Sequence, residues 1–234
     1  MLFANIQGQQ KCKQLLIQMV HEQRVPHAQL FLGSHGSGGL FLALALAQYI
    51  ACTNKQLNDS CGVCSSCVKH TKFVHPDLHF VFPVAANQSV KTKPISKNFL
   101  TDWRAILTES PYFSLFDWIK YIGIENKQGI ISVEESAHIV KDLSFKPYES
   151  DTKIMLIWMP EKMNIQAANK ILKIIEEPPH KTLFLLVAES EENILATVLS
   201  RTQLFKVPRY PDAEVVQFLV SRGLASEKAQ MIAT

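Results

Sequence analysis

The fold class is decided by the stretch AQLFLGSHGSGG, which runs from Ala28 to Gly39. Its first five residues form a short apolar run that is typical of a buried strand, and the glycines after it allow a tight turn. From Leu40 to Cys52 the chain is apolar at nearly every position, as a buried helix is. Strand, glycine loop and buried helix in this order predict the opening of a nucleotide-binding α/β unit.

The remainder of the chain continues the alternation of strands and helices. Apolar runs predict further strands at residues 77–83, 153–159, 182–188 and 204–207. Helical spacing of apolar residues predicts helices at residues 9–23, 164–177, 193–199 and 212–221. A capping-box spacing, Ser132 to Glu135, predicts one more helix that ends near Leu143. The sequence therefore predicts a parallel sheet covered by helices on both faces.

Two segments differ in composition from this core. Residues 85–127 are rich in Asn, Ser, Thr and Lys with scattered aromatic residues, and we expect helices inserted into the core there rather than strands. Residues 1–208 are predicted to form the core domain, with the cysteine-rich part at about 51–72. Residues 209–234 begin a second, helical domain that the chain does not complete.

Composition excludes several classes of protein. With 47% hydrophobic and 19% charged residues, the chain has the makeup of a globular protein and not of a disordered one. Its 24 basic and 21 acidic residues leave a net charge of +3, so any contact with DNA is expected to be local or shared with partner chains. No signal peptide and no apolar run of membrane-spanning length is evident, so we expect a soluble, cytoplasmic protein without membrane partners.

The glycine loop keeps only part of a phosphate-binding P-loop. Gly33, Gly36 and Gly38 supply the glycines, but Gly39 and Leu40 stand where the phosphate-binding lysine and the Mg²⁺-binding hydroxyl belong. A P-loop fold that has lost hydrolysis is the favoured interpretation, and ATP binding is not expected. A plain turn between strand and helix is the alternative.

The end of the central strand also indicates that ATP hydrolysis has been lost. A nucleotidase of this type ends that strand in an acidic pair that holds Mg²⁺ and orients water, whereas this chain reads Trp158-Met159-Pro160-Glu161. An apolar residue or proline takes the place of the metal-holding aspartate, and only Glu161 is acidic.

The cysteines Cys52, Cys61, Cys64 and Cys67 have the close spacing of a structural zinc site. Four thiolates match the tetrahedral preference of Zn²⁺ and leave no open position for catalysis. Reduced cysteines that share a loop by chance are the alternative, and His70 or His75 could replace one thiolate.

Several short motifs together resemble those of the bacterial clamp-loader subunits of DNA polymerase III, over most of residues 1–210. The motifs are Ile6-x-Gly8-Gln9, Pro26-His27-Ala28, the glycine loop, the four cysteines with His75-Pro76-Asp77, Ala168-Asn169 with Leu172-Lys173, Glu176-Glu177-Pro178-Pro179, and Ser200-Arg201. In that family the gamma/tau subunits keep the P-loop lysine and the acidic pair, and the delta-prime type loses them. The chain is therefore similar to the delta-prime type.

The resemblance implies an AAA+ P-loop-type core with an inserted zinc module, the start of a helical lid, and a helical collar that would lie beyond this chain, as in a fragment. It also implies that Arg201, by composition alone a solvated surface residue, is an arginine finger that acts in trans on the ATP site of a neighbouring gamma/tau subunit. Thr202 replaces the cysteine usual in the family. Ile6, Gly8 and Gln9 match the segment that lines the adenine pocket of active relatives.

Three functions follow as hypotheses. The first is a non-hydrolysing clamp-loader subunit that acts with gamma/tau and delta subunits, and through them with the sliding clamp and primed DNA. The second is an active ATPase of the same fold, which needs a lysine from elsewhere to compensate for Gly39. The third is a zinc-dependent nucleic-acid-binding module, which the small net charge disfavours.

Overall fold

A five-stranded parallel sheet forms the centre of the computed structural model, which describes residues 1–109, 112–124 and 127–233. The strand order is β2-β3-β4-β1-β5, and each pair of neighbours is parallel. The strands are β1 (Ala28–Leu32), β2 (Leu78–Val81), β3 (Lys153–Trp158), β4 (Thr182–Ala188) and β5 (Gln203–Lys206). The predicted strands are confirmed, with ends that differ by one or two residues.

Ten α-helices surround or follow the sheet in the described part of the chain. They are α1 (Gln10–His21), α2 (Gly39–Ala51), α3 (Ser65–Thr71), α4 (Leu100–Glu109), α5 (Leu115–Tyr121), α6 (Val133–Ser144), α7 (Ile165–Glu176), α8 (Ala196–Leu199), α9 (Asp212–Ser221) and α10 (Ser226–Ala233). The helix predicted at residues 193–199 is shorter than expected, because only α8 is α-helical there. None of the described helices is long and apolar enough to cross a membrane.

The sheet is covered on both faces, as its apolar runs predict. All six residues of β3 and all seven of β4 are buried. Along a strand the side chains alternate between the faces, so Leu156 lies in the cluster with α2 while Ile157 lies in the cluster with α6 and α7. The helix α2 is buried along nearly its whole length, which explains its uniformly apolar sequence.

Residues 85–127 contain helices, as predicted, and these helices complete the core. Trp103 of α4 and Trp118 of α5 are fully buried. Their ring centroids lie 5.1 Å apart, and the Trp103 ring stacks on Phe82 just after β2 at 4.2 Å. The indole N–H of Trp118 donates to the carbonyl of Pro83 at 2.8 Å. Although the segment is polar in composition, its aromatic residues therefore form a cluster that packs on the sheet.

The capping box predicted at the start of α6 forms only in half. The Ser132 side chain accepts from the backbone N–H of Glu135, as the spacing predicts. The Glu135 carboxylate instead accepts from the backbone N–H and the hydroxyl of Ser96, at 2.6 and 3.0 Å. Glu135 is buried and so cannot reach back to its own helix start; it links α6 to the segment before α4.

Candidate functional site

The glycine loop lies at the carboxyl edge of the sheet, between β1 and α2. Gly36 and Gly38 have φ values of +78° and +86°, which glycine adopts without strain. Gly33 needs to be glycine for another reason, because a Cβ there would lie 2.4 Å from the carbonyl oxygen of Val207. The three glycines named from the sequence thus lie in one tight turn between a strand and a helix.

The end of β3 faces this loop with an aromatic ring. Trp158 is the last residue of the strand, is 4% exposed, and packs against the rings of Phe113 and Trp103 at 5.3 and 5.2 Å. Trp158 and Phe113 line the cavity above the glycine loop, and this cavity has a volume of about 50 Å³. The residue that takes the strand-end position is therefore tryptophan.

Glu161, the remaining acidic residue of this segment, uses one carboxylate oxygen on the backbone. Its carboxylate accepts from the N–H of Glu189 at 2.8 Å. Burial raises the pKa of Glu161, against the lowering effect of its backbone hydrogen bonds. In the described part of the chain, the glycine loop therefore faces tryptophan where an acidic pair would hold Mg²⁺.

The segment before α9 closes the other side of the loop. Gln9 donates through its amide to the carbonyls of Ser37 and Pro208, at 3.0 and 2.7 Å, and so joins the N-terminal segment, the loop and the segment after β5. A Cβ added at Gly38 would lie 2.8 Å from the Tyr210 hydroxyl oxygen. A Cβ added at Gly8 would lie 3.0 Å from the Tyr210 ring.

Tyr210 therefore fills the gap between the loop and the segment that resembles an adenine pocket. The Glu214 carboxylate also approaches Gly8, and burial raises the pKa of the Tyr210 hydroxyl. Sequence reasoning missed both residues. Neither belongs to a recognisable motif, and only the fold brings them to Gly8.

The four predicted cysteines come together in one cluster. Their ligand atoms all lie within 4.8 Å of one another, and the cysteines are not paired as disulfides. The sulfur of Cys61 lies 3.7 Å from that of Cys52 and 3.9 Å from that of Cys67. Two thiolates on one Zn²⁺ with bonds of 2.3 Å would be about 3.8 Å apart, so the donors and their spacing fit a tetrahedral metal site.

Backbone N–H groups also point at these sulfurs. Cys61 donates to Cys52, Cys64 to Cys61 and Cys67 to Cys64, with N···S distances of 3.3–3.4 Å. For Cys64 burial raises the pKa, but hydrogen bonds from Thr53 and from the Cys67 N–H outweigh it and lower the pKa to about 5. The site favours thiolate at that position, which is the form that binds metal.

The two nearby histidines are not part of the cluster. The rings of His70 and His75 lie 4.5 Å apart, and Nδ1 of His75 accepts from the backbone N–H of Asp77 at 3.2 Å. Burial lowers the pKa of His70 to about 3, so that its ring is neutral at pH 7. The group of possible metal ligands found among the described residues contains the four cysteines and no histidine.

Arg201 lies at the opposite edge of the sheet from the glycine loop. It precedes β5, whose first residue, Gln203, pairs with Gln29 near the start of β1. The glycine loop follows the end of β1, so the length of that strand, about 16 Å, separates the two edges. The Arg201 side chain is 36% exposed, forms an ion pair with Glu176 and donates to the carbonyl of Thr197 at 3.0 Å.

Comparisons with known proteins agree on one family. The family described as "DNA polymerase III, delta subunit" matches residues 8–211. DNA polymerase III subunit delta' of Bacillus subtilis is 24% identical over 225 residues, which cover 96% of this chain and 55% of that protein. The Escherichia coli delta' subunit is 24% identical, with 88% and 50% covered.

A third relative belongs to another subunit type. The gamma/tau subunit of Mycobacterium tuberculosis is 27% identical over 86% of this chain and 27% of its own length. Among solved structures, a gamma subunit-related protein of DNA polymerase III from Thermotoga maritima superposes with a TM-score of 0.52 at 16% identity, with 95% of this chain and 57% of that chain covered. This structural similarity supports the P-loop α/β fold. The chain spans about half the length of the delta' relatives.

Proposed function

The chain belongs to the DNA polymerase III delta subunit family, and on that premise we propose that it acts as a delta-prime-type subunit of a clamp loader that does not itself hydrolyse ATP. Its partners in that role are gamma/tau-type and delta-type subunits, and through the complex a sliding clamp and primed DNA. The delta' relatives of Bacillus subtilis and Escherichia coli support this assignment over 88–96% of the chain.

The position of Trp158 carries the non-hydrolysing part of the proposal. Phosphoryl transfer relies on a metal and fixed cations that neutralise charge developing on the phosphate. Here the strand end presents a buried indole, and Gly39 lies against Val187 and Phe31. The described end of β3 supplies an indole in place of a Mg²⁺-binding carboxylate, and Tyr210 occupies space beside Gly8 and Gly38, which supports the proposal.

Arg201 supports the second part, a contribution in trans. Because it lies at the edge opposite the glycine loop, its guanidinium cannot reach a ligand on its own loop. An exposed guanidinium is suited to stabilise the charge of a γ-phosphate bound to a neighbouring subunit. The ion pair with Glu176 holds the side chain in place until that neighbour docks.

We further propose that the cysteine cluster holds one structural Zn²⁺. Zinc would fix the loop between α2 and α3 and supply no catalytic step, since all four ligand positions are taken by the chain. We also keep the division into a core at residues 1–208 and the start of a lid at 209–234 as part of the proposal.

A reconstituted loader tests the role of Arg201. Arg201→Ala is expected to lower the clamp- and DNA-stimulated ATPase rate at the neighbouring site by at least about a hundredfold while the complex still assembles. The matched control is Arg222→Ala, which removes an arginine that lies over the Phe218 ring of α9. Equal ATPase rates for the wild type and Arg201→Ala would overturn the arginine-finger role.

The active-ATPase alternative is kept because a gamma/tau subunit is also similar to the chain. It predicts ATP turnover by this chain alone, without the other loader subunits. Robust turnover that is abolished by Gly36→Ala would favour it.

A further inference from the structure

A large groove lies at the amino edge of the sheet, below the starts of β1, β3 and β4. Its volume is about 700 Å³, large enough for several side chains of a ligand. The floor is aliphatic and is formed by Val20, Val25, Ile50 and Leu183 together with Pro178 and Pro179. We call it the amino-edge groove.

The rim of the amino-edge groove is cationic. Lys55, Lys181 and His180 line it together with His21 and His27, and none of the described residues that line it is an aspartate or glutamate. Lys55 uses one N–H on the carbonyl of Cys52 at 2.8 Å, which leaves two others.

The ion pair that Lys181 forms compensates the charge of this rim only weakly. Lys181 contacts Asp151 at 3.5 Å, but the Asp151 side chain is 99% exposed, so water screens the pair. The groove therefore presents an aliphatic floor below two ammonium groups that remain available to an anion.

The amino-edge groove adjoins the surroundings of Arg201, because one residue lines both. His27 lines the groove and also lines a second cavity, of about 460 Å³, that contains Arg201 and Glu176. A subunit that brings its ATP site to Arg201 would therefore also lie next to the groove.

We propose that the amino-edge groove docks a segment of the neighbouring subunit that carries acidic and aliphatic side chains. This inference rests on the proposed function, because it takes the neighbour to be the subunit that receives Arg201. The aliphatic side chains of the segment pack on the floor, and its carboxylates pair with Lys55 and Lys181 at the rim.

The lining of the groove favours a peptide over nucleic acid. Single-stranded nucleic acid is bound by stacking of bases on aromatic rings and by a long track of cations. The described lining holds two lysines and no phenylalanine, tyrosine or tryptophan. Prolines and aliphatic residues instead suit leucine-like or valine-like side chains.

The experiment measures assembly of the full chain with its cognate gamma/tau-type and delta-type subunits, with Lys55→Glu/Lys181→Glu beside the wild type. We expect the double variant to bind about tenfold more weakly at low salt, with a smaller difference at high salt. Lys91→Glu/Lys141→Glu changes the net charge equally at exposed lysines outside the groove and should bind as the wild type does.

The outcomes separate the inference from the function it rests on. Wild-type affinity of the Lys55→Glu/Lys181→Glu chain would overturn the docking groove, while the proposed function would stand if Arg201→Ala still lowers ATPase activity. Failure of the wild-type chain to assemble would overturn the proposed function itself.

A second pair of measurements guards against misfolding and against another ligand. Lys181 lies on an exposed loop away from the cysteines. The Lys181→Glu single variant should therefore have the melting temperature of the wild type but a lower affinity for the neighbouring subunit. A photo-crosslinker at Gln23, on the groove lining, should capture a peptide of the neighbouring subunit that contains Asp or Glu. Capture of DNA or of a segment without acidic residues would overturn the proposal.

Discussion

At the scale of one residue, Trp158 ties the end of β3 to the aromatic core. Its ring packs between Phe113 and Trp103 and belongs to the aromatic core. The residue at the strand end thus stabilises the fold and places an indole beside the glycine loop where the acidic pair is expected.

We therefore expect Trp158→Asp to destabilise the protein by about 3–5 kcal/mol and to give no Mg²⁺-dependent ATPase activity. The reasons are loss of a buried aromatic side chain and burial of an unpaired charge. Chemical denaturation measures the loss, and Trp158→Phe is the control, with a cost of about 1–3 kcal/mol. A Trp158→Asp protein as stable as the wild type would contradict the packing described here.

Glu135 makes stability depend on pH. Burial raises its pKa to about 7, although hydrogen bonds from Ser96 work in the opposite direction. Between its ordinary pKa near 4.5 and about 7, the folded chain binds more protons than the unfolded chain, so the free energy of unfolding falls as pH rises through this window.

The matching variant is Glu135→Gln, whose amide oxygen can still accept from Ser96. We expect the wild type to lose up to about 3 kcal/mol relative to this variant between pH 5 and pH 8. Denaturation at several pH values measures the difference. Glu134→Gln is the control, because Glu134 is only half-buried in the same helix turn. If the free energy of unfolding depended on pH in the same way for the wild type and Glu135→Gln, titration of Glu135 would be ruled out as the cause.

The cysteine loop is the element that we expect to depend on metal. Purified protein should contain about one zinc per chain, and Cys64→Ser should lower the zinc content and the melting temperature together. Cys12→Ser is the matched control, because Cys12 is buried but lies outside the cluster. Metal analysis and thermal denaturation test this. Wild-type protein that is metal-free and equally stable after treatment with a chelator would contradict a structural zinc site.

Acid should release the metal from this element. Zinc binds thiolates, so protons compete for the four sulfurs as pH falls. Acidification should therefore lower both the zinc content and the free energy of unfolding. The titration of Glu135 has the opposite effect on the free energy of unfolding in the same pH range. Metal retention measured on Glu135→Gln separates the two effects.

At the scale of elements, the sequence predicts local structure well and long-range contacts poorly. The apolar runs of β3 and β4 and the spacing in α7 predict these elements because each is formed from neighbouring residues. Glu135 satisfies the spacing of a capping box but turns to Ser96, since tertiary contact outweighs the local bond.

Asp77 shows the same limit. It belongs to a motif named from the sequence, but nothing in the sequence indicates that its carboxylate accepts from the backbone N–H groups of Tyr148, Glu149 and Ser150. At the candidate site, likewise, the glycines and cysteines follow from spacing, whereas Tyr210 is brought to Gly8 and Gly38 only by the fold.

At the scale of the whole molecule, the two candidate sites lie at opposite edges of one sheet. The carboxyl edge holds a glycine loop closed by Trp158 and Tyr210, and the amino edge holds Arg201 beside the amino-edge groove. A chain that contributes an arginine to a neighbour without binding its own nucleotide would have this arrangement.

A calorimetric titration of the purified chain with ATP and Mg²⁺, with phosphate release assayed on the same sample, tests this central claim most directly. We expect no saturable binding at millimolar ATP and no hydrolysis above the buffer rate. Saturable binding together with turnover would contradict the account, because the glycine loop would then be a working phosphate site and the chain an ATPase in its own right.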